Sequence, residues 1–421
     1  MLTTSNFIKL KYLVIIYPLL LLTGPFFPDL FLILLSVFYI FYITKNKSWT
    51  DFFNKKYNKI FLILYIILIL SSLFSDYLLY SLKTSVLYIR YIFFFNAIIF
   101  IYEKDKNLFQ RFCQINFFTL IFVSFDTIFQ FHFGYNIIGL ESNNISRMGS
   151  FFGDELIVGS YLSKLFPYLI IYLFFFNKGK NYQFFKLIPL IFVGVAIFLS
   201  GERTSFLFFL ISSLSILIIF KHKKLLLISS LIFLVILTYA ATKNINLLNR
   251  MVYQTINKIY DFENKKIFFY SKEHTVLSKI SIKMFQDNKI LGVGPKNFRN
   301  VCFNNPKKYE FLKNYKPDHY CSTHPHNIFF QFLSETGLIG IIFYLIFLIS
   351  IFKIFINECY KNDKNIKTIF LLISLIISVL PLVPSGQFFN NWLSVHLFLT
   401  LGFLISELKT SSQHDLKNIG K

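Results

Sequence analysis

The sequence predicts an all-α membrane protein that crosses the bilayer many times. Hydrophobic residues make up 55% of the 421 residues and charged residues only 15%, and the mean hydropathy is +0.57. These values lie outside the usage of soluble globular domains. Apolar runs such as 60–70 and 205–220 recur along the chain, and a hydrocarbon core about 30 Å thick needs roughly 20 helical residues. A bilayer is therefore the solvent that this composition fits.

Apolar periodicity and length define about twelve predicted transmembrane helices. The first follows Lys9 and Lys11 and resembles a signal sequence, but no small-x-small cleavage site follows it, so we interpret it as a retained span. In chain order the predicted spans are 12–23, 28–43, 60–75, 84–102, 112–132, 152–176, 185–200, 204–220, 225–241, 326–352, 367–383 and 387–406.

The placement of cationic residues predicts the orientation of these spans. Lys and Arg concentrate on alternate short connections, whereas the short connections on the other side hold only Lys83, Arg147 and Arg203. Because cationic short loops mark the cytoplasmic side, both termini are predicted to be cytoplasmic. The formal charge of +22 does not by itself indicate a nucleic-acid partner, and we predict none.

One long connection divides the chain into predicted regions. Residues 1–241 would hold helices one to nine, 242–325 a large external loop between helices nine and ten, 326–406 the last three helices, and 407–421 a cytoplasmic tail. The loop carries 15 Lys and Arg against six Asp and Glu. Its "HTVLSKISIKMFQDN" segment has the apolar spacing of an amphipathic helix, and "LGVGPKNF" is typical of a tight turn. The loop is either a solvated cap or a basic canopy over an anionic substrate.

Two of the four cysteines, Cys302 and Cys321, share this external loop. In an oxidising compartment they could form a disulfide that closes a loop of about 20 residues and contributes on the order of 3 kcal/mol. The alternative is a pair of free thiols.

The segment from Ser322 to Gly340, "STHPHNIFFQFLSETGLIG", holds the leading candidate site. If a helix begins near Asn327, then Asn327, Gln331, Ser334 and Glu335 share one face while apolar side chains cover the rest. Ionisable side chains within a span need a cavity or a partner. We therefore expect a buried polar stripe that leads inward from His324 and His326.

Three interpretations of His324 and His326 remain open from the residues alone. The imidazoles could act as general acid or base at neutral pH. They could bind a metal together with neighbours in "DHYCSTHPH". They could also simply cap the helix end. The further metal-ligand candidates are Asp318, His319 and Cys321.

Two arginines on short external connections are candidates for binding an anion. Arg203 lies in the turn "LSGERTSF", and its guanidinium offers the planar set of donors that suits a phosphate. The alternative is a local ion pair with Glu202. Arg147 ends the preceding external connection and is the second candidate.

The sequence resembles the bacterial O-antigen ligase and polymerase superfamily of integral-membrane glycosyltransferases. The resemblance rests on His326-Asn327, nine residues, and then Gly337-x-x-Gly340, with "LGVGPKNF" upstream, "RMGSFFGDE" and an external arginine before the eighth span. It implies a GT-C-like fold in the bacterial inner membrane with the active site facing the periplasm. It also implies metal-independent transfer, without a cofactor, of a glycan from undecaprenyl pyrophosphate to an acceptor hydroxyl.

The resemblance assigns roles to individual residues. His326 would be the base, and His324, Asn327 and Glu335 would orient the base or the sugar. The substrate-binding candidates are Arg203, Arg147 and Asn327, together with Gln331 and Arg299.

The sequence departs from the family in one place and leaves two choices open. Relatives often carry an arginine and a tryptophan in the amphipathic helix before the "GVG" turn, whereas this chain has only Lys272, His274 and Lys279 as substitutes. The acceptor is either lipid A-core, as for a ligase, or a growing glycan, as for a polymerase. The alternative functions are a transporter or flippase of lipid-linked sugars, which would show internal repeats and broken helices, or a structural membrane subunit.

Overall fold

The structure is a computed structural model, and it describes residues 9–142, 146–177, 183–216, 223–261, 266–267, 271–304, 321–361, 365–381 and 383–419. Helices dominate these residues, which confirms the all-α polytopic class. In the first half of the chain the helices are α1 (Lys11–Ile15), α2 (Tyr17–Leu20), α3 (Phe26–Lys45), α4 (Trp49–Asn54), α5 (Lys56–Leu73), α6 (Leu78–Tyr88), α7 (Arg90–Lys104), α8 (Leu108–Phe133), α9 (Val158–Ile171) and α10 (Gln183–Leu199).

The second half continues with helices and one small hairpin. The helices are α11 (Arg203–Leu214), α12 (Lys223–Lys243), α13 (Ile245–Leu248), α14 (Gln254–Ile259), α15 (Lys272–Asp287), α16 (Phe298–Asn304), α17 (Ile328–Tyr360), α18 (Ile366–Val379) and α19 (Asn391–Ile419). Strands β1 (Tyr260–Asp261) and β2 (Lys266–Ile267) pair antiparallel, with Tyr260 opposite Ile267. Short 3-10 or π segments also occur: Leu21–Thr23, Ser150–Glu155, Tyr172–Phe176 and Asn249–Tyr253.

Within the described residues, seven helices are long and apolar enough to cross a membrane. They comprise α3, α5, the continuous pair α6 and α7, α8, α9 with its π turn, α17, and α19 as far as Thr410. A bent pair, Ser230–Ala240 with Ile245–Lys258, is a possible eighth, and α10, α11 and α18 are shorter apolar helices. Each predicted span overlaps one of these helices or the broken N-terminal pair α1 and α2. The count of twelve itself stays a prediction.

The helix α17 differs from the predicted tenth span. It begins at Ile328 and continues to Tyr360, and it is interrupted at Gly337, whose φ of 63° and ψ of −158° are not helical. Gly337 therefore breaks the helix. The last helix also runs past the predicted boundary at 406 and ends at Ile419.

The core lies around α7, which packs between α3 and α19. Side chains from Tyr91 to Tyr102 are almost all buried, and Phe95 stacks on Phe398 of α19 with ring centroids 6.0 Å apart. Such a helix, apolar all round, is typical of the centre of a membrane bundle. Large apolar side chains elsewhere, such as Ile63 at 52% exposure, point outward, as lipid-facing side chains do.

The bundle has two chemically distinct ends. At one end, α17 begins beside the starts of α3 and α19 and the last turn of α5; we call this the histidine end. At the opposite end, α7 finishes at Lys104 beside the last part of α19 and the first turn of α18; we call this the lysine end. The candidate site residues lie at the histidine end.

Candidate active site

The first turn of α17 is capped by Asn327 rather than by a histidine. Its side-chain oxygen accepts a hydrogen bond from Phe330 N at 3.2 Å, and its amide donates to Pro381 O at 2.7 Å. Asn is among the preferred N-cap residues because it satisfies an unpaired helical N–H. The helix-cap interpretation of His324 and His326 is therefore wrong, and their imidazoles are left for other contacts.

The glycine turn ahead of α16 docks against the break in α17. Leu338 N and Ile339 N donate to Lys289 O and Ile290 O at 2.8 and 3.3 Å, and Gly294 N donates to Glu335 O at 2.9 Å. Ser71 of α5 adds a hydroxyl donor to Glu335 O at 2.8 Å. Irregular backbone within a membrane helix is tolerated only where protein satisfies its polar groups, and here the turn does so.

Two glycines allow this close approach. A Cβ at Gly337 would lie 2.5 Å from Ile290 O, and one at Gly292 would lie 2.5 Å from the carbonyl carbon of Glu335. Both residues also have a positive φ, 63° and 69°, a conformation that L side chains rarely adopt. The spacing of the glycine motifs is thus explained by backbone docking.

The polar stripe of α17 is buried, and its side chains hold this turn in place. Gln331 donates to Glu335 Oε2 at 3.0 Å and accepts from Phe388 N at 2.9 Å. The Glu335 carboxylate also accepts from Lys296 N at 3.0 Å and Phe298 N at 3.4 Å. A fully buried carboxylate with three donors fixes the positions of the groups around it.

Three histidines meet above the start of α17. The rings of His324 and His326 have centroids 4.2 Å apart, and the ring of His274 from α15 lies 6.0 Å from that of His326. Ser322 Oγ is 2.9 Å from Nε2 of His326. His326 has a positive φ of 54°, and its carbonyl accepts from Ser385 N at 2.8 Å. Strained non-glycine backbone of this kind clusters at functional sites.

The surroundings keep these imidazoles neutral. Burial, followed by the neighbouring His326, lowers the pKa of His324 to about 3. Burial, followed by His274, lowers the pKa of His326 to about 4, and burial also lowers the pKa of His274. His324 Nε2 lies 3.2 Å from Ser385 O, an acceptor, so this nitrogen carries the proton. Neutral imidazoles are the form that can accept a proton.

Three arginines converge on the short turn between α10 and α11. A Cβ at Gly201, whose φ is 67°, would lie 2.9 Å from Arg147 Cγ and 3.3 Å from Arg250 Cδ. Arg250 Nε donates to Gly201 O at 2.8 Å, and Arg203 Nε donates to Arg250 O at 3.0 Å. We call Arg147, Arg203 and Arg250 the arginine cluster.

The partners of the arginine cluster are neutral oxygens. Arg203 also donates to Gln254 Oε1 at 2.9 Å, and Arg147 donates to Leu156 O at 2.7 Å. Arg147 Nε is buried and has no hydrogen-bond partner within the described residues. The local ion pair between Arg203 and Glu202 is not formed.

Glu202 instead holds the start of α9. Its carboxylate accepts from Gly159 N at 2.8 Å and from the hydroxyls of Ser160 and Ser205 at 2.9 Å each. Backbone and hydroxyl donors thus occupy both carboxylate oxygens, so Glu202 forms no direct ion pair with the guanidinium groups, although its charge still interacts electrostatically with Arg147 and Arg250.

Two neighbouring residues at the start of α15 link the arginine cluster to the three histidines. Glu273 interacts electrostatically with Arg203 and lies 3.3 Å from Lys258 Nζ. The next residue, His274, faces His326. A ligand that contacts the arginine cluster would therefore be close to the imidazoles.

Some predicted site residues lie elsewhere. Arg299 is exposed and sits 5.3 Å above the ring of Phe303, so its role as a ligand stays a prediction. Lys279 is exposed on α15, and the side chain of Lys272 is outside the described residues.

Arg250 and His274 complete the two clusters, and the sequence patterns did not assign Arg250 to the site. The rarity of arginine could have identified Arg250 as a candidate. Only six of the 43 basic residues are arginines, and the predicted external loop holds just two of them, Arg250 and Arg299.

The candidate metal ligands do not assemble in the described part of the chain. Cys302 and Cys321 are joined by a disulfide bond, which removes Cys321 as a thiolate ligand, while Asp318 and His319 lie outside the described residues. Elsewhere in the described residues, no group of three or more His, Cys, Asp or Glu side chains has the arrangement of a metal site.

Comparison with known protein families identifies a family for the part of the chain that holds these clusters. Residues 188–345, more than a third of the chain, match the family model described as O-antigen ligase. The matched segment includes Arg203, Arg250, His274, His326 and the break at Gly337. No curated protein matches the sequence.

Proposed function

We propose that this chain, whose residues 188–345 match the O-antigen ligase family model, transfers a glycan from undecaprenyl pyrophosphate to an acceptor hydroxyl on the periplasmic face. The observation that carries the proposal is a group of buried neutral imidazoles that the start of α15 links to three guanidinium groups, which form no ion pair within the described residues. The arrangement supplies a base for the acceptor and cations for the departing phosphates, which is what this transfer requires.

His326 is the base in this proposal. Its pKa of about 4 keeps the ring neutral at physiological pH, and Nδ1 makes no hydrogen bond within the described residues. When the acceptor hydroxyl attacks the anomeric carbon, its oxygen forms the new bond and the bond to the pyrophosphate oxygen breaks. The hydroxyl proton passes to His326, and the departing pyrophosphate keeps the electron pair.

The arginine cluster would bind the departing pyrophosphate. Guanidinium groups bind phosphate oxygens through paired donors, and preorganised positive charge stabilises the charge that develops on a leaving group. Arg147 Nε, buried without a partner in the described part of the chain, is a donor that this ligand could satisfy. Arg250 takes the place of the arginine that relatives often carry in the amphipathic helix.

The remaining polar residues position the reactive groups. His324 packs against His326 and bonds to Ser385, while Asn327 fixes the start of α17. Glu335 accepts a hydrogen bond from Lys296 N after the glycine turn, and Gln331 accepts one from Phe388 N. We therefore assign both residues a positioning role, in place of the catalytic role predicted for Glu335 and the substrate-binding role predicted for Gln331. No step of this reaction needs a metal or a cofactor.

The proposed location follows from the charge asymmetry of the connections. The protein would lie in the bacterial inner membrane with both termini in the cytoplasm and the histidine end in the periplasm. The acceptor would be lipid A-core or a growing glycan. The predicted division at 242–325 and the twelve spans belong to the same proposal.

A transporter of lipid-linked sugars is the competing function. It predicts broken helices, and α17 is broken at Gly337. However, the freed backbone groups at that break are bonded to the 289–294 segment. They are thus not available to bind a substrate, and the observation favours the transferase.

The test is transfer by the purified protein with an undecaprenyl-pyrophosphate-linked glycan and each acceptor in turn. His326→Ala should lower the rate by about 10²- to 10⁴-fold, the usual contribution of a general base, without changing the melting temperature substantially. His132→Ala, an exposed histidine on α8, is the matched control and should transfer normally. Full activity in His326→Ala would exclude this base, and glycan translocation without transfer would favour the transporter.

A further inference from the structure

A cavity lies at the histidine end, among helices that the proposed mechanism does not use. Its volume is about 360 Å³, within the size range of small-ligand sites. It is bounded by the first turn of α3, by α6 and the start of α7, by the residue after the glycine turn, and by the segment that leads into α19. The lining residues used below are Asp29, Tyr80, Lys83, Arg90, Lys296 and Phe389.

The charges around this cavity are unbalanced. Arg90 is neutralised, because it lies 3.1 Å from Asp29 and donates to Asn391 Oδ1 at 2.5 Å. Lys83 and Lys296 have no ion-pair partner among the described residues, so the lining side chains carry a net positive charge. Arg90 Nε is buried without a hydrogen-bond partner in the described part of the chain. An anionic group would satisfy this donor and the two ammonium groups.

The rest of the lining suits a sugar. Tyr80 is 54% exposed and presents its ring and hydroxyl, and the buried Tyr88, Tyr91 and Phe389 form an aromatic wall. Aromatic side chains provide an apolar face against which the C–H face of a sugar ring packs, and tyrosine adds a polar group. Asn391 contributes an amide that already bonds to Asp29 and to Tyr91. This mixture of aromatic, amide and cationic groups differs from the arginine cluster, which has no aromatic wall among the described residues.

A short segment links the cavity to His326. Ser385 bonds to the His326 carbonyl, Phe388 N bonds to Gln331, and Phe389 then lines the cavity. On the other side, Lys296 lines the cavity while its N–H binds Glu335. The histidines thus lie between the arginine cluster and this cavity along the chain of contacts. A saccharide held in the cavity would therefore reach His326 through contacts other than those that link His326 to the arginine cluster.

We propose that this cavity is a binding subsite for an acidic saccharide, one that carries a carboxylate or a phosphate, on the acceptor side of the reaction. Its volume accommodates roughly one or two sugar rings. Lys83 and Lys296 bind the acidic group, and Tyr80 packs against the ring. The acceptor assignment rests on the proposed transferase function, whereas saccharide binding itself does not.

Binding can be measured without turnover, on the full chain in nanodiscs of phosphatidylcholine. The probes are a disaccharide that ends in glucuronate and its carboxyl-reduced, neutral analogue, followed by calorimetry. We expect the acidic disaccharide to bind at least tenfold more tightly than the neutral one. Lys83→Gln with Lys296→Gln should lower the affinity for the acidic disaccharide at least tenfold and remove the difference between the probes.

The matched control is Lys289→Gln, an exposed lysine at the same end that does not line the cavity; its affinity should be unchanged. If the double variant unfolds, Lys83→Gln alone is used, because Lys83 is exposed, and a three- to tenfold loss is expected. Equal binding of the two probes, or unchanged affinity in the lysine variants, would overturn the proposal.

Two further measurements distinguish a saccharide subsite from a lipid-headgroup site and from an effect on catalysis. Nanodiscs that contain phosphatidylglycerol should give the same affinity, and competition by this lipid would overturn the proposal and assign the cavity to a lipid headgroup. His326→Ala should still bind the acidic disaccharide. If transfer proves not to depend on His326 but the lysine variants lose binding, the proposed mechanism fails and the saccharide site stands.

Discussion

At the lysine end of the bundle, basic side chains lie against carboxylates. Lys11 is 2.8 Å from Asp105, Lys367 is 2.5 Å from Glu407, and Lys409 joins α19 to the end of α7. At the histidine end, the arginine cluster bonds instead to backbone carbonyls and to one glutamine amide. The histidine end also contains ion pairs, such as Arg90 with Asp29, but the three guanidinium groups of the arginine cluster form none within the described residues.

The difference shows how a fold can fix the position of a positive charge and still leave that charge available to a ligand. A neutral oxygen fixes the direction of a guanidinium without cancelling its charge, whereas a carboxylate does both. In a partly desolvated site, uncancelled positive charge attracts an anion strongly. The paired basic groups at the lysine end hold helices together, whereas the arginine cluster at the histidine end is the group that we propose binds the departing pyrophosphate.

The largest expected effect comes from removing unpaired charge at the histidine end. Arg203→Gln should lower transfer by roughly 10²- to 10³-fold, the cost of losing one group that stabilises developing negative charge. The measurement is initial rate with saturating acceptor. Arg111→Gln, an exposed arginine near the start of α8, is the control and should retain its rate. Equal, small losses in both variants would contradict the distinction between the two ends.

The next largest effect tests whether backbone docking, rather than ion pairing, stabilises the histidine end. Gly337→Ala forces a Cβ to within 2.5 Å of Ile290 O at a φ of 63°. Such strain costs about 1–3 kcal/mol, so the thermal unfolding temperature in detergent should fall by several degrees. Gly386→Ala has no atom within 4 Å of the new Cβ and should unfold like the parent. A normal unfolding temperature for Gly337→Ala would argue against the docked turn.

The pH dependence of the reaction tests whether His326 is a buried, neutral base. Because the pKa of His326 is lowered to about 4, the ring stays neutral, and kcat/KM should be flat from about pH 8 to about pH 6. It should fall about tenfold per pH unit below the pKa, since protonation removes the base. The folded state binds fewer protons than the unfolded state between about pH 6.5 and 4, so stability also decreases as the pH falls through that range. An acid limb between about pH 6 and 7, near the ordinary pKa of histidine, would contradict the buried, neutral base.

The smallest effect is expected at the lysine end. Lys409→Gln breaks an exposed pair, with Lys409 2.9 Å from Glu103, and exposed pairs contribute at most about 1 kcal/mol. Transfer per folded molecule should be unchanged, and the unfolding temperature should shift by no more than about two degrees. A transfer defect as large as that of Arg203→Gln would show that charge at both ends serves the reaction.

Local patterns in the sequence predicted a large part of the structure. Helices of the structure overlap all the spans that hydropathy predicted. A segment within lipid must satisfy its own backbone hydrogen bonds, and a helix does so. The spacing of Asn327, Gln331 and Glu335 indicated one buried face of α17, since helical periodicity is a local property. The glycine turn was also predicted, although its docking against Gly337 was not.

Those local patterns did not predict which residues distant in the sequence lie close together in the structure. Arg250 meets Arg203 across 47 residues, and His274 meets His326 from the far side of the external loop, through connections whose paths depend on packing. Arg299 had the same residue type and the same loop as Arg250, yet it is exposed. Nothing in the local sequence distinguishes the two arginines, because their difference is the neighbour that each one packs against.

The sequence by itself determined the solvent, the helical class and the residue types available for chemistry, because hydropathy, periodicity and side-chain identity are properties of short segments. Only the tertiary structure decided which of those residues lie together: three arginines around Gly201 and three imidazoles beside the start of α17. It also decided that the glutamate of the polar stripe serves the glycine turn. These choices depend on how distant helices pack, and a buried polar group takes its role from the partners that packing brings to it.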